Sequence, residues 1–313
     1  MILKNKNYSN IYNLKNKKKY FHLLKIFIFL FLFPFLYIFR IKPLNMNILA
    51  IEFKALVKKY QYLIKNEENI SDDSPIWVMW YQGIEKSPPL IKACINSIFI
   101  NKANHPLYII DKYNLDNYIK LPKYILRKFQ KGIFSITHFS DIIRMLLLSK
   151  YGGYWIDSTY LITAPLKYTN SSFFTLKLPY CFPIISKCLW AGNFLAMPKN
   201  SFLSTYSYNA FLFYWKNYNS LINYYLIDYI IYIAYENLQE LRILIQKIPY
   251  IECDIFSLNG KLNNSYNESL IKCPFNKLNR KDNFISYNDV DLTNYGYIIN
   301  KYNDSLYLNY NSS

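Results

Sequence analysis

The chain has 313 residues, 52% of them hydrophobic. That is enough for one large α/β domain with a small appendage and more than a bare recognition module needs. The formal charge of +17, from 37 Lys+Arg against 20 Asp+Glu, would attract anionic membranes, phosphorylated ligands or nucleic acid. The lysines are scattered, however, and no nucleic-acid-binding module is recognisable, which argues against nucleic acid as the partner. Five cysteines without C-x-x-C spacing and three widely separated histidines exclude a structural zinc site. The odd cysteine number points to buried free thiols rather than a disulfide scaffold.

Residues 1–20 hold six lysines and no acid, and HLLKIFIFLFLFPFLYIFRIK follows. Residues 23–39 are expected to attach the chain to a membrane. Either a short or tilted spanning helix or an interfacial helix fits, because the run is at the short end and Pro34 sits in its middle. A cleaved signal peptide is the competing reading, but the basic region is long and no small-x-small site follows. Residues 45–66 carry apolar side chains at helical spacing and read as a stalk or surface helix.

The globular domain is expected from residue 75 onward. PIWVMWYQG reads as a strand ending in a glycine turn, and residues 88–103 as a helix opened by proline. PLYIIDKYN reads as a second strand, with Asp111 and Asn114 at its carboxyl end. A helix from about Ser140 to Lys150, the pair Gly152-Gly153 and the strand YWID complete a β-α-β-α-β rhythm. Such sheets bind ligands beyond the carboxyl ends of their strands, which is where Trp80, Gln82, Asp111 and Asp157 fall. Farther on, strands are expected around the Trp-Ala-Gly-Asn turn at 190–193. Two helical stretches then fill 201–247, and a polar tail wraps the domain.

The most informative piece is FSDIIRMLLLSKYGGYWIDST, residues 139–159. Asp141 and Arg144 share one helix face, and Asp157 ends the strand after the Gly-Gly reversal. Two carboxylates and one cation around a cleft suit a nucleotide sugar: acids for hydroxyls and a metal, a cation for the diphosphate. Taken singly, the Asp–Arg pair is also what a solvated helix surface shows, and Gly-Gly also serves a simple hairpin.

The segment SDIIRMLLLSKYGGYWIDST, with IWVMWYQG, PPLIKACINS and LPKYI before it, resembles the capsular-polysaccharide-synthesis glycosyltransferases and the wider glycosyltransferase family 32. The resemblance spans residues 75–168, with thinner likeness over 190–236 and at 276–278. It implies a GT-A fold, a Rossmann-like mixed sheet flanked by helices. It also implies transfer from a nucleotide-sugar donor, a UDP-sugar favoured, to a cell-surface polysaccharide or glycolipid acceptor, with retention of configuration. Asp141 and Arg144 would contact the donor's sugar and ribose-phosphate, with Trp80, its neighbour Tyr81 and Gln82 near the base. Asp157 would help hold Mn²⁺ or Mg²⁺. The usual D-x-D reads Asp157-Ser158-Thr159 here, so a neutral oxygen replaces the second carboxylate. Asn276 is then a candidate ion ligand, and Lys277 a candidate positive charge on the departing phosphate. A catalytically silent scaffold in polysaccharide assembly is the rival that Thr159 motivates. A bacterial enzyme of this kind would face the cytoplasm; a eukaryotic one would be Golgi type II.

Overall fold

A computed structural model describes residues 46–167, 170–178, 185–281 and 283–302. The hydrophobic segment 23–39 lies outside them, and among the described residues no helix is long and apolar enough to cross a membrane. The described residues from 50 onward form one compact unit.

Its centre is a five-stranded sheet. Strand β1 (Ile76–Met79) is followed by helix α2 (Pro89–Asn101), β2 (Leu107–Ile110), the short helices α3 (Leu115–Tyr118) and α4 (Lys123–Gln130), and then α5 (Ile136–Tyr151). After β3 (Gly153–Ile156) come β4 (Tyr160–Ile162), β5 (Phe174–Thr175) and β6 (Phe194–Met197). The order is β2-β1-β3-β6-β5, with β1 parallel to β2 and β3 and β6 antiparallel to β3. This is the mixed α/β sheet expected from the sequence, its parallel part carrying the β-α-β rhythm.

Strand alternation sorts the side chains onto two faces. Ile76, Val78, Tyr154, Ile156 and Phe194 join Ile91 and Ile95 of α2 in one buried cluster, each large apolar side chain contributing about 1.5–3 kcal/mol when fully buried. Trp77 and Trp155 occupy alternate strand positions. Trp77 stacks on Tyr108 at 5.0 Å between ring centres and donates its indole N–H to the Gly152 carbonyl.

Gly152 and Gly153 are required by both conformation and space. Their φ angles are +70° and +93°, and a Cβ on Gly153 would lie 2.0 Å from the Pro75 carbonyl oxygen. That same oxygen accepts the Tyr154 N–H at 2.8 Å, so β3 is pressed against the entry to β1.

The remaining helices are α6 (Phe202–Asn217), α7 (Leu226–Asn237), α8 (Gln239–Lys247), α9 (Glu268–Ile271) and α10 (Asn294–Tyr302). Strand β7 (Phe275–Lys277) pairs antiparallel with β4, and β8 (Tyr287–Asn288) forms a hairpin with β9 (Asp291–Leu292). Helix α6 packs against α5, with the Ser149 and Thr205 hydroxyls hydrogen-bonded at 2.9 Å. The tail returns to the domain through α10: Asn96 of α2 donates to the Tyr302 carbonyl at 2.8 Å. Ahead of the sheet, helix α1 (Met46–Tyr60) buries Phe53 and Val57. Phe53 meets Phe213 of α6 and Tyr229 of α7, so this part of α1 lies on the domain surface.

Three sequence expectations need correction. Helix α5 starts four residues before Ser140: Ser135 is the N-cap and accepts from the His138 N–H, which leaves Asp141 inside the helix rather than near its start. The second helical stretch breaks at Leu238, which is extended (φ −132°, ψ 109°). Arg242 of α8 reaches back to cap α7 through the Tyr235 and Glu236 carbonyls. The thiols are not all free. Cys253 and Cys273 are disulfide-bonded with Cα atoms 5.5 Å apart, Cys188 is disulfide-bonded as well, and Cys94 is a buried free thiol. Sequence spacing carries no information on which cysteines a fold brings within bonding reach.

Glu67 offers a stability test. Its carboxylate caps α6 by accepting the Phe202 N–H, and burial pushes its pKa up to about 7 from an ordinary 4.5. A carboxyl whose folded pKa is raised stabilises the fold fully below pH 4.5, and that contribution is lost as pH rises through about 7. Glu67→Gln keeps an acceptor oxygen without the ionisation. It should be more stable than wild type at pH 8 by about 1–3 kcal/mol and match it near pH 4, as read by thermal denaturation across pH.

Candidate functional site

Helix α5, the carboxyl end of β3 and the Trp190–Asn193 loop converge on Arg144. Its guanidinium reaches out of α5 to the Asp141 carboxylate at 3.2 Å and the Asp157 carboxylate at 3.1 Å. It also donates to the Gly192 carbonyl and lies 4.9 Å over the Trp155 ring. The rigid fork of donors is what allows one side chain to serve three acceptors. Asp157 closes β3. Its Oδ1 accepts from Arg144 and from the Trp155 indole at 2.8 Å, and its Oδ2 accepts from the Lys277 ammonium at 2.9 Å.

The Trp190–Asn193 loop stitches the cluster together. The Trp190 indole donates to Asp228 of α7 at 2.9 Å. The Asn193 carbonyl accepts the Asp157 N–H, and its side-chain oxygen accepts the Tyr160 hydroxyl. Gly192 packs closely under the cluster: a Cβ there would press on Asp228 Oδ1 at 3.3 Å, with Arg144 Nη1 at an ordinary 3.9 Å.

Electrostatics divide the three carboxyls. Asp157 is held below the usual carboxylate range, because Lys277 and Arg144 outweigh its burial. Burial pushes Asp141 up to about 7 despite Arg144, with Asp157 and Asp228 adding to the rise. Burial likewise lifts Asp228 to about 6. The His138 ring stands 3.7 Å from Asp141 Oδ2 and is pushed down to about 4 by burial, so it is neutral near pH 7. Two fixed cations thus face one firmly ionised carboxylate and two acids shifted toward neutrality, a balance that favours an anionic ligand. Asp157 remains 28% exposed at its side chain, so a ligand can reach it.

Of the residues the sequence singled out, Asp141, Arg144, Asp157, Thr159 and Lys277 come together. Trp80, Tyr81 and Gln82 lie just past β1. Trp80 carries the Arg280 guanidinium 5.2 Å above its ring, Tyr81 is packed edge-on against Phe129 and Phe139, and Gln82 is exposed. Asn276 is not brought to the cluster. It neighbours Lys277 on β7 and so points to the opposite face, where it is fully buried and donates to the Cys273 carbonyl. Asp111 makes a local turn, accepting the Tyr113 and Asn114 N–H groups.

The expected Mn²⁺ or Mg²⁺ site at Asp157, Thr159 and Asn276 does not fit these side chains. Both Asp157 oxygens are engaged by cations or by the Trp155 indole. Thr159 Oγ1 lies 2.5 Å from the Lys277 ammonium. Among the described residues no three His, Cys, Asp or Glu side chains gather to hold an ion. Two positive charges 4 Å apart repel by about 4 kcal/mol at an effective permittivity near 20, and a divalent ion beside Lys277 or Arg144 would double that.

Sequence reasoning passed over Trp190, Gly192 and Asn193 as members of the site. The only signal was the turn itself.

Comparison with known proteins adds the following. One solved structure, titled PaToxG Glycosyltransferase, is similar over 67% of this chain and 90% of its own, with 15% identity and a TM-score of 0.34. No curated protein matches. The sequence pattern of the family described as capsular polysaccharide synthesis protein matches residues 40–288, which take in both α5 and β7. The chain therefore belongs to the capsular polysaccharide synthesis protein family.

Proposed function

We propose that the chain is a glycosyltransferase that moves a sugar from a nucleotide-sugar donor, a UDP-sugar favoured, onto a cell-surface polysaccharide or glycolipid, with retention of configuration. The observation that carries this reading is Arg144 bridging Asp141 and Asp157 beyond the carboxyl ends of parallel strands, with Lys277 beside them. Asp141, shifted toward its neutral form, and Asp157 Oδ2, which accepts from Lys277 alone, offer hydrogen-bonding oxygens to sugar hydroxyls. Arg144 meets the ribose-phosphate, and Trp80 under Arg280 presents an aromatic face to the base. The acceptor hydroxyl attacks the anomeric carbon from the side the phosphate leaves. Preorganised positive charge lowers the barrier by stabilising the leaving group.

Residues 23–39 serve as the membrane attachment in this reading. In this reading the catalytic domain faces the cytoplasm if the enzyme is bacterial and the Golgi lumen if it is eukaryotic.

The test is donor hydrolysis or transfer by the purified protein, offered a panel of nucleotide sugars with a glycan or glycolipid acceptor. One donor should be consumed, and Asp157→Ala should slow its consumption by about 10²–10³-fold with the fold retained by circular dichroism. A folded wild type that consumes no donor and binds no nucleoside diphosphate would replace this reading with that of a scaffold in polysaccharide assembly.

A further inference from the structure

Resting on the glycosyltransferase reading, we propose that the Lys277 ammonium takes the place of the divalent cation, so that Lys277 and Arg144 together neutralise the donor diphosphate and transfer needs no metal. The ammonium lies between the two residues of the altered D-x-D element, 2.9 Å from Asp157 Oδ2 and 2.5 Å from Thr159 Oγ1. That is where an ion bound by the first and third residues of a D-x-D would sit. The replacement of the second carboxylate by Thr159 matches a monovalent occupant. A hydroxyl accepts a hydrogen bond from an ammonium, and it is a weaker ligand for a hard divalent cation than the carboxylate it replaces.

The position is built into the backbone. Lys277 pairs with Tyr160 across the β4–β7 ladder, and its own N–H donates to the Ile255 carbonyl at 2.8 Å. The disulfide at Cys273 anchors the segment four residues before it. The ammonium also rests 5.0 Å from the Tyr160 ring centre, and the side chain is 16% exposed. Of its three donors, two serve Asp157 and Thr159, and the third is available to a phosphate oxygen.

In the step, the bond between the anomeric carbon and the β-phosphate oxygen breaks and its electron pair stays on the nucleoside diphosphate. The acceptor oxygen bonds to the anomeric carbon, and the acceptor proton passes to the released phosphate. Lys277 and Arg144 balance the charge that accumulates on that phosphate, and no oxidant, reductant or other co-reactant is required.

The experiment is calorimetric binding of UDP, GDP, ADP and TDP to the full chain, in EDTA and again in Mn²⁺, with donor consumption measured alongside. Wild type should bind one of them with the same affinity in both media and keep its turnover in EDTA. Lys277→Met should weaken that binding at least tenfold in EDTA, and Lys277→Arg should restore most of it, each variant first checked for a cooperative melt. Binding or turnover that is lost in EDTA and recovered with Mn²⁺ would overturn the proposal while leaving the glycosyltransferase reading intact. Unchanged binding in a folded Lys277→Met would also overturn it. A folded wild type that binds none of the four in either medium would overturn the donor reading, and this proposal with it.

Discussion

Arg144→Met should be the most damaging single change at the site, lowering stability by about 3–5 kcal/mol and abolishing donor turnover. The guanidinium is 5% exposed and is shared by Asp141, Asp157 and the Gly192 carbonyl. Its removal leaves Asp141, itself only 7% exposed, without its counter-charge. The pH dependence separates this cause from simple loss of packing. Arg144 now holds the Asp141 carboxyl down against its burial, so without it that pKa climbs further above 7. A raised folded pKa favours the fold below the ordinary carboxylate range and is costly as pH rises through it. The stability deficit of Arg144→Met should therefore be large at pH 8 and much smaller near pH 5, as measured by denaturant titration at both. A deficit independent of pH would assign Arg144 a packing role over Trp155 instead. Arg144→Lys should rescue little, because a single ammonium cannot span the three acceptors.

The second large effect is expected behind the site. Gly153→Ala should cost more than about 4 kcal/mol, seen as a melting temperature lowered by about 10 °C or more or as failure to express in soluble form. The added methyl would lie 2.0 Å from the Pro75 oxygen and 2.9 Å from the Pro75 ring, at a φ of +93°. Gly132→Ala supplies the control. Its φ is +68° but nothing lies within 4 Å of the new Cβ, so it should cost only about 1–2 kcal/mol of backbone strain. A similar penalty at both positions would mean that φ alone, and not the approach of β3 to Pro75, demands glycine at 153.

The stretch from residue 139 to 159 was legible because its chemistry is local. Helical spacing sets Asp141 and Arg144 on one face, and a Gly-Gly reversal returns the chain so that Asp157 meets them. The parallel sheet was legible for the same reason, since each strand and helix announces itself by its own period. What the sequence concealed depends on contacts between distant segments. The sequence put the start of this helix near Ser140, yet Ser135 caps it. The Trp190–Asn193 turn was visible as a turn, but its indole, carbonyls and amide find partners on α5, on α7, on β4 and just past β3 that no spacing reveals. Lys277 was a candidate charge and Asn276 a candidate ligand. Only the β4–β7 register sends the first to Asp157 and the second to the opposite face. The disulfide follows the same logic, joining cysteines 20 residues apart.

The β4–β7 pairing also sets a timetable for synthesis. Asp157 and Lys277 are 120 residues apart in the chain, and translation proceeds at about 5–20 residues per second, so roughly 6–24 s separate their emergence from a ribosome. During that interval Asp157 has Arg144 but not its second cation, and the edge of β4 is open. A nascent or truncated chain ending before residue 275 would thus expose an unpaired strand edge, the kind of surface that chaperones engage and that aggregates when they do not.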